Sequence, residues 1–149
     1  MSFTRIKETK GRVLGVDFGE ARTGLAVSDA ARLLASGIGN IQGGGLEKTV
    51  ERIAAAVAEQ GAVAVVLGLP VNMNGTEGPR AERARALGAL LAERMPDVPV
   101  AFVDERMTTM AASRFLNETN TRGKRRKGVI DTLSAEIILQ NALDRLRLM

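Results

Sequence analysis

The sequence contains no histidine, no cysteine, no tryptophan and no tyrosine. Without cysteine the chain cannot form a disulfide, and without both cysteine and histidine it cannot build the usual kind of zinc site. The Ser-His-Asp and Cys-His catalytic arrangements are excluded for the same reason. Acid–base chemistry would therefore depend on Asp, Glu, Lys or a metal-bound water. Because four phenylalanines are the only aromatic residues, the chain offers little for stacking the bases of a single strand.

Long hydrophobic runs are absent as well. No stretch approaches the roughly 18 apolar residues of a membrane span, and the segment at 1–12 is polar, unlike a signal peptide. The chain has 149 residues, of which 45% are hydrophobic and 26% charged, as in a globular domain with a core. We therefore expect one cytoplasmic domain, residues 1–149, with no membrane association.

Positive charge is concentrated in one short segment. The chain has 21 Lys and Arg against 17 Asp and Glu, a net charge of +4, and without this segment 16 basic residues face 17 acidic ones. The five cations of the segment are Arg122, Lys124, Arg125, Arg126 and Lys127. Such a run is either a solvated loop or a contact with the phosphate backbone of nucleic acid. Asp131 follows four residues later, and its closeness would favour the phosphate contact if Asp131 is an active-site carboxylate.

The hydrophobic pattern predicts strands first and helices later. Short apolar, β-branched runs predict strands at 12–18, 23–28, 34–41, 62–68 and 98–103. Helical spacing predicts helices at 46–59, 80–94, about 108–117 and about 129–146, with a basic loop at about 119–128. Because helical crossovers join parallel strands, the order β-β-β-α-β-α-β-α-α predicts an α/β fold. Its sheet would be mixed and five-stranded, with helices on both faces.

Four acidic residues are candidates for a metal site. Asp17 ends an apolar strand, Asp104 and Glu105 end another, and Asp131 lies at the start of the last helix. Each has a structural alternative: a turn cap for Asp17, a salt bridge with Arg106 for one acid of the Asp104–Glu105 pair, and a favourable helix-dipole contact for Asp131.

These carboxylates can converge at one edge of such a sheet, since ligands gather at the carboxyl ends of strands. Neighbouring residues of a strand point to opposite faces, so only one of Asp104 and Glu105 can easily share a site with Asp17. Clustered carboxylates repel one another unless cations bind, and their oxygens suit Mg²⁺ or Mn²⁺.

A polar loop at 70–79 follows the fourth predicted strand. Asn72, Asn74 and Thr76 could donate hydrogen bonds to a phosphate. Simple turn chemistry explains the same residues equally well.

Four segments of the chain together resemble the YqgF/RuvX family of the RNase H-like superfamily. They are VDFGEARTGLAVSD at 16–29, VVLGLPVNMNGTEGPRA at 65–81, VDERMTT at 103–109 and KGVIDTLSAEIIL at 127–139. The resemblance implies an RNase H-like fold with a central first strand and a metal-dependent nuclease. Members of the family are described as pre-16S rRNA processing nucleases and as Holliday junction resolvases.

By motif, the resemblance implies that Asp17, Glu105 and Asp131 are the catalytic and metal-binding acids, with Asp104 a weaker match. The superfamily often has a fourth acid, for which Glu136 is the nearest downstream candidate.

The leading hypothesis is an endonuclease that uses two Mg²⁺ or Mn²⁺ ions to cleave structured RNA or branched DNA. A homodimer would suit junction cutting, because that reaction needs paired sites.

The first alternative is a non-catalytic nucleic-acid-binding module with the same basic run. The second is an actin-like phosphotransferase, suggested by the turn at 17–24. Such enzymes bind nucleotide between two domains, and 149 residues have room for one.

Overall fold

A computed structural model describes residues 2–106 and 123–149, and the side chains of 2–106 and 132–149. Its helices and strands follow each other in the order αβββαβαβα over the described ranges. The strands are β1 (Arg12–Phe18), β2 (Arg22–Ser28), β3 (Ala35–Gln42), β4 (Ala62–Leu69) and β5 (Val100–Asp104). The helices are α1 (Phe3–Glu8), α2 (Gly45–Gln60), α3 (Pro79–Arg94) and α4 (Gly123–Leu148).

The five strands form one mixed sheet with β1 at its centre. The strand order is β3-β2-β1-β4-β5. The pairs β1–β2 and β2–β3 are antiparallel hairpins, whereas β1–β4 and β4–β5 are parallel. The predicted mixed five-stranded sheet and the predicted central first strand are therefore confirmed.

Helices cover both faces of the sheet, as predicted. On one face α2 and α3 pack against alternate residues of β1 such as Leu14 and Val16. On the other face α1 and α4 pack against Val13 and its neighbours. This alternation assigns the odd-numbered positions of β1, including Asp17, to the α4 face.

A glycine in β1 lets α4 lie close to the sheet. A Cβ at Gly15 would be 2.7 Å from the Cβ of Leu139 and 3.1 Å from the carbonyl oxygen of Ala135. No larger residue fits without moving the helix. Because α4 runs from its Ala135 region near Gly15 towards Leu146 at the other end, its first turns lie towards the carboxyl end of β1.

The structure corrects two sequence predictions. The polar segment before β1 contains α1, whose buried Phe3 and Ile6 are too few to show a helical period in the sequence. The loop predicted at about 119–128 is wrong in its second half, because α4 begins at Gly123 and includes Lys124, Arg125, Arg126 and Lys127. Lys and Arg are good helix formers, so the charge run does not interrupt the helix.

The helix predicted at about 108–117 lies outside the described residues. Within the part of the chain that the structure covers, none of the helices has the length and apolar content needed to cross a membrane.

Candidate active site

Two acidic side chains meet at the carboxyl edge of the sheet, on the face that α4 covers. Asp17 pairs with Gly24 of β2 and is one residue beyond the last pair with β4, Val16 with Leu67, which places it level with Gly68. Glu105 directly follows β5, and its backbone N–H donates to the carbonyl oxygen of Leu69 at 3.1 Å. The two carboxyl groups are hydrogen-bonded to each other. We call Asp17 and Glu105 the acid pair.

Gly68 makes room for the acid pair. The carboxyl carbon of Glu105 lies 2.8 Å from the position that a Cβ at residue 68 would take, and the Cδ1 of Ile138 lies 2.6 Å from it. Any side chain there would push against both Glu105 and α4. The glycine in the middle of an otherwise bulky strand therefore allows the Glu105 carboxyl group to lie against the sheet.

Burial gives the acid pair unusual protonation behaviour. It raises the pKa of Asp17, and the hydrogen bond with Glu105 and the positive charge of Arg80 only partly oppose it. Burial, the hydrogen bond with Asp17 and the charge of Asp17 raise the pKa of Glu105 to about 9. The shared hydrogen bond requires a proton on one of the two groups. Without a cation, the acid pair therefore retains a proton near neutral pH.

Asp104 lies on the opposite side of the strand end and has a different partner. Its carboxylate accepts from the guanidinium of Arg106 at 2.6 Å and 2.9 Å and from the backbone N–H of Arg106 at 3.0 Å. The Arg106 hydrogen bonds lower the pKa of Asp104. This confirms the prediction that one of the neighbouring residues Asp104 and Glu105 forms a salt bridge with Arg106 while the other can face Asp17.

The third predicted ligand, Asp131, is in α4, four residues before Ala135. Its side chain lies outside the described part of the structure, as do Arg122 and the side chains of Lys124, Arg125, Arg126 and Lys127. Among the side chains that are described, no three acidic groups come together as a metal site. Asp131 as a ligand and the basic run as a phosphate contact therefore remain predictions.

The polar loop after β4 satisfies its own hydrogen bonds. The Asn72 side-chain amide donates to the Thr76 hydroxyl at 3.1 Å, and that hydroxyl donates to the Asn74 side chain at 2.6 Å. The backbone N–H of Thr76 also donates to Asn74 at 3.1 Å. Turn chemistry accounts for these contacts, and phosphate binding by Asn72 and Asn74 stays a prediction.

Glu136, the candidate for a fourth acid, is engaged elsewhere. Its carboxylate accepts a hydrogen bond from the backbone N–H of Gly37 in β3 at 2.7 Å. That strand is at the edge of the sheet, two strands away from the Asp17 strand. The structure therefore gives Glu136 a role in holding β3 against α4.

One cation near the acid pair was not among the residues predicted from the sequence. Arg80, in the first turn of α3, is exposed, and its charge acts on both Asp17 and Glu105. One turn later the guanidinium of Arg83 lies 5.0 Å from the centre of the Phe18 ring, so α3 packs over the end of β1. The GPRA sequence at 78–81 marks a helix start with Pro and Arg, the one signal that could have identified Arg80.

Comparison with known proteins gives one family. The model of the RuvX family, described as Holliday junction resolvase, matches residues 11–145. A relative from Caulobacter vibrioides, named as a pre-16S rRNA nuclease, is 46% identical over 136 residues, covering 91% of this chain and 87% of that protein. A relative of the same name from Ligilactobacillus salivarius is 47% identical over 137 residues, covering 90% and 92%.

Solved structures of resolvases have the same fold. A Thermus thermophilus RuvC in complex with a Holliday junction substrate has a TM-score of 0.58 at 16% identity, covering 92% of this chain and 96% of that one. The fowlpox virus Holliday junction resolvase has a TM-score of 0.54 at 11% identity, covering 93% and 99%. At these identities the likeness concerns the fold alone.

Proposed function

The chain belongs to the RuvX family, and on that premise we propose that it is a metal-dependent endonuclease that matures pre-16S rRNA in the cytoplasm. The observation that carries the proposal is the acid pair, in which the half-buried Asp17 and the buried Glu105 share a hydrogen bond at the carboxyl edge of the sheet. The names of relatives at 43–47% identity support the choice of rRNA as substrate.

The acid pair fits a divalent cation. Two carboxyl groups that are withdrawn from solvent and retain a proton gain a charge partner when a cation replaces that proton, and hard oxygen ligands suit Mg²⁺ or Mn²⁺. Asp17 and Glu105 would hold the metal, with Asp131 as the third ligand. Two bound ions would supply charge that lowers the pKa of an attacking water and stabilises the leaving oxygen.

Arg80 would act on the substrate. Its guanidinium is exposed, and its charge acts on both members of the acid pair, so a phosphate bound at Asp17 and Glu105 would be attracted by Arg80 as well. An Arg fork can donate two hydrogen bonds to one phosphate. We therefore assign Arg80 to holding the phosphate during cleavage, in addition to the phosphate contact predicted for the basic run at 122–127.

The test compares two strand-end acids on two substrates. A pre-16S rRNA fragment and a four-way DNA junction are incubated side by side with Mg²⁺ or Mn²⁺, and the cuts are mapped. Asp17→Asn should abolish cleavage of the rRNA while leaving binding intact or tighter, whereas Asp104→Asn serves as the matched control. Retained metal-dependent cleavage by Asp17→Asn would contradict the assignment of Asp17 as a catalytic acid.

Junction resolution is the second candidate, and the description of the family model favours it. A resolvase must cut two strands at symmetric positions, so this activity requires a homodimer with paired sites. Paired cuts in the DNA junction, together with a dimer in sedimentation velocity, would favour this function over rRNA maturation. Binding of either substrate without any cut would favour the non-catalytic module.

A further inference from the structure

A basic cavity lies at the opposite end of β1 from the acid pair. It has a volume of about 430 Å³ and lies between α1, the turn after β2 and the end of α4. Four cations line it, namely Lys7, Lys10, Arg32 and Arg147, and none of its described lining residues is acidic. We call it the Lys10 cavity. The buried side chains of Leu143 and Leu146 form its apolar floor.

Arg32 carries a positive charge into this cavity without a carboxylate to balance it. Its guanidinium donates to the carbonyl oxygens of Gly11 at 2.7 Å and Ile6 at 3.0 Å, and to the Thr9 hydroxyl at 2.7 Å. All three acceptors are neutral, and partial burial lowers the pKa of Arg32. No carboxylate of the described residues forms an ion pair with it. An anion in the cavity would balance this charge.

The backbone of Arg32 is strained to hold it there. It is the one described residue other than glycine with a positive φ, at 60°. Such a conformation is costly for a long side chain and persists where the surroundings fix it. Here the three hydrogen bonds of the guanidinium fix Arg32 against α1 and the start of β1.

Two exposed lysines add charge at the rim of the cavity. Lys7 donates one N–H to the carbonyl oxygen of Leu146 at 2.8 Å, which leaves two further donors on its ammonium group. Lys10 makes no hydrogen bond or ion pair with any residue that the structure describes. The fourth cation, Arg147, is already paired with Asp144. Lys7, Lys10 and Arg32 therefore present an unbalanced charge to the solvent.

We propose that the Lys10 cavity is a second phosphate-binding site, which holds the backbone of the nucleic-acid substrate away from the position of cleavage. The inference rests on the proposed nuclease function, because a nuclease substrate is a chain of phosphates. Gly11 at the cavity and Asp17 are six residues apart along β1, or about 20 Å. At roughly 3.4 Å per nucleotide of a B-form duplex, about six base pairs would separate the two contacts, and slightly more in an A-form RNA duplex, whose rise is shorter.

The proposal is tested by the salt dependence of binding, measured without cleavage. Fluorescence anisotropy of the Asp17→Asn protein in chelator is recorded with RNA hairpins of about 20 and about 4 base pairs, since only the longer one spans the distance. Lys10→Ala and the double variant Lys7→Ala/Lys10→Ala are compared with Arg52→Ala. Arg52 is a matched control because it is an exposed cation on α2, on the opposite face of the sheet.

The expected result depends on hairpin length. On the long hairpin, each lysine removed should reduce the steepness of log binding constant against log salt concentration by about 1. No change is expected on the short hairpin or for Arg52→Ala. An unchanged slope on the long hairpin overturns the proposal, and so does an equal loss for Arg52→Ala. Circular dichroism checks that each variant is folded, and Lys10→Ala removes no hydrogen bond or ion pair with any described residue.

Two further arms separate this inference from other outcomes. If inorganic phosphate raises the Tm of the parent protein but not of Lys10→Ala, while the RNA slopes stay equal, the cavity takes a free anion and the nucleic-acid assignment is overturned. Cleavage of the short hairpin by the protein with intact Asp17 tests the nuclease function alone. If the short hairpin is not cleaved, the nuclease function is contradicted, and the binding slopes still test the Lys10 cavity independently.

Discussion

Two carboxylate environments lie side by side at the end of β5, and they differ in every electrostatic respect. Glu105 is buried against another acid, Asp17, and its pKa is raised to about 9. Asp104 is exposed against a cation, Arg106, and its pKa is lowered. Two adjacent residues at one strand end thus have opposite environments, since Glu105 belongs to an acid pair that disfavours its negative charge and Asp104 belongs to an ordinary surface ion pair. Strongly shifted pKa values of the first kind are typical of functional sites, which is why the acid pair is the candidate cation site.

The largest expected effect comes from replacing the buried acid. Glu105→Gln keeps the shape and the hydrogen-bonding capacity of the side chain but removes the negative charge that a metal would need. We expect cleavage to fall by roughly 10³-fold or more, as for other residues that act as part of a catalytic unit. Single-turnover cleavage at saturating Mn²⁺ measures it. A rate within tenfold of the parent would show that Glu105 is not a metal ligand.

The same variant should change how stability depends on pH. The pKa of Glu105 is raised in the folded state, so the folded protein holds a proton that the unfolded chain releases above its ordinary value of 4.5. The free energy of unfolding of metal-free protein should therefore fall as the pH rises from about 4.5 towards 9.

Glu105→Gln should remove most of that fall and be more stable than the parent by over about 1 kcal/mol at pH 8. Urea denaturation in chelator at several pH values measures it. Added Mg²⁺ should stabilise the parent but not the variant, because only the parent retains the charge that binds it. Parallel pH profiles for the two proteins would contradict the raised pKa.

Removing the cation beside the acid pair should have an intermediate effect. Arg80→Ala is expected to reduce kcat/KM by about tenfold, consistent with one charge-assisted contact to phosphate. Arg80→Lys should recover part of the loss, since it keeps the charge but not the fork. Steady-state cleavage of the rRNA fragment measures both, with Arg83→Ala as a neighbouring control on the same helix. Equal losses for Arg80→Ala and Arg83→Ala would argue against a specific contact.

The smallest effect is expected at the exposed ion pair between Asp104 and Arg106. Asp104→Asn removes an ion pair in high dielectric, which costs less than about 1 kcal/mol of stability. We expect cleavage to stay within about threefold of the parent, because Asp104 faces Arg106 rather than Asp17. Urea denaturation and cleavage of the rRNA fragment are compared with those of Glu105→Gln. A loss of activity as large as that of Glu105→Gln would place Asp104 in the metal site.

The contrast between the two acids was predictable from the sequence, because it follows from the alternation of side chains along a strand. The strands themselves were predictable because short apolar, β-branched runs such as 62–68 are typical of buried strands. The sequence marks Arg80 only as part of a helix start and does not show that it lies near the acid pair. Its proximity to Asp17 depends on α3 packing over Phe18, which is a long-range contact.

Two other features depend on tertiary contacts that leave no local pattern. The short helix α1 owes its position to the burial of Phe3 and Ile6 in the core that α4 also covers. Glu136 looked like a spare acid near Asp131, but the edge strand β3 supplies its partner. In the basic run, the high helix propensity of Lys and Arg outweighs the concentration of positive charge. The run is therefore part of α4, where a loop was predicted.

The hydrogen bonds between α4 and the edge strand have a consequence for association. The outward backbone N–H groups of Ala35 and Gly37 are occupied, the first by the Gln140 side chain at 3.0 Å and the second by Glu136. An exposed edge strand with free N–H groups invites another chain to extend the sheet. Along the first part of β3 the protein's own helix fills that position, so this stretch is protected from edge-to-edge aggregation, and a second copy would have to dock elsewhere.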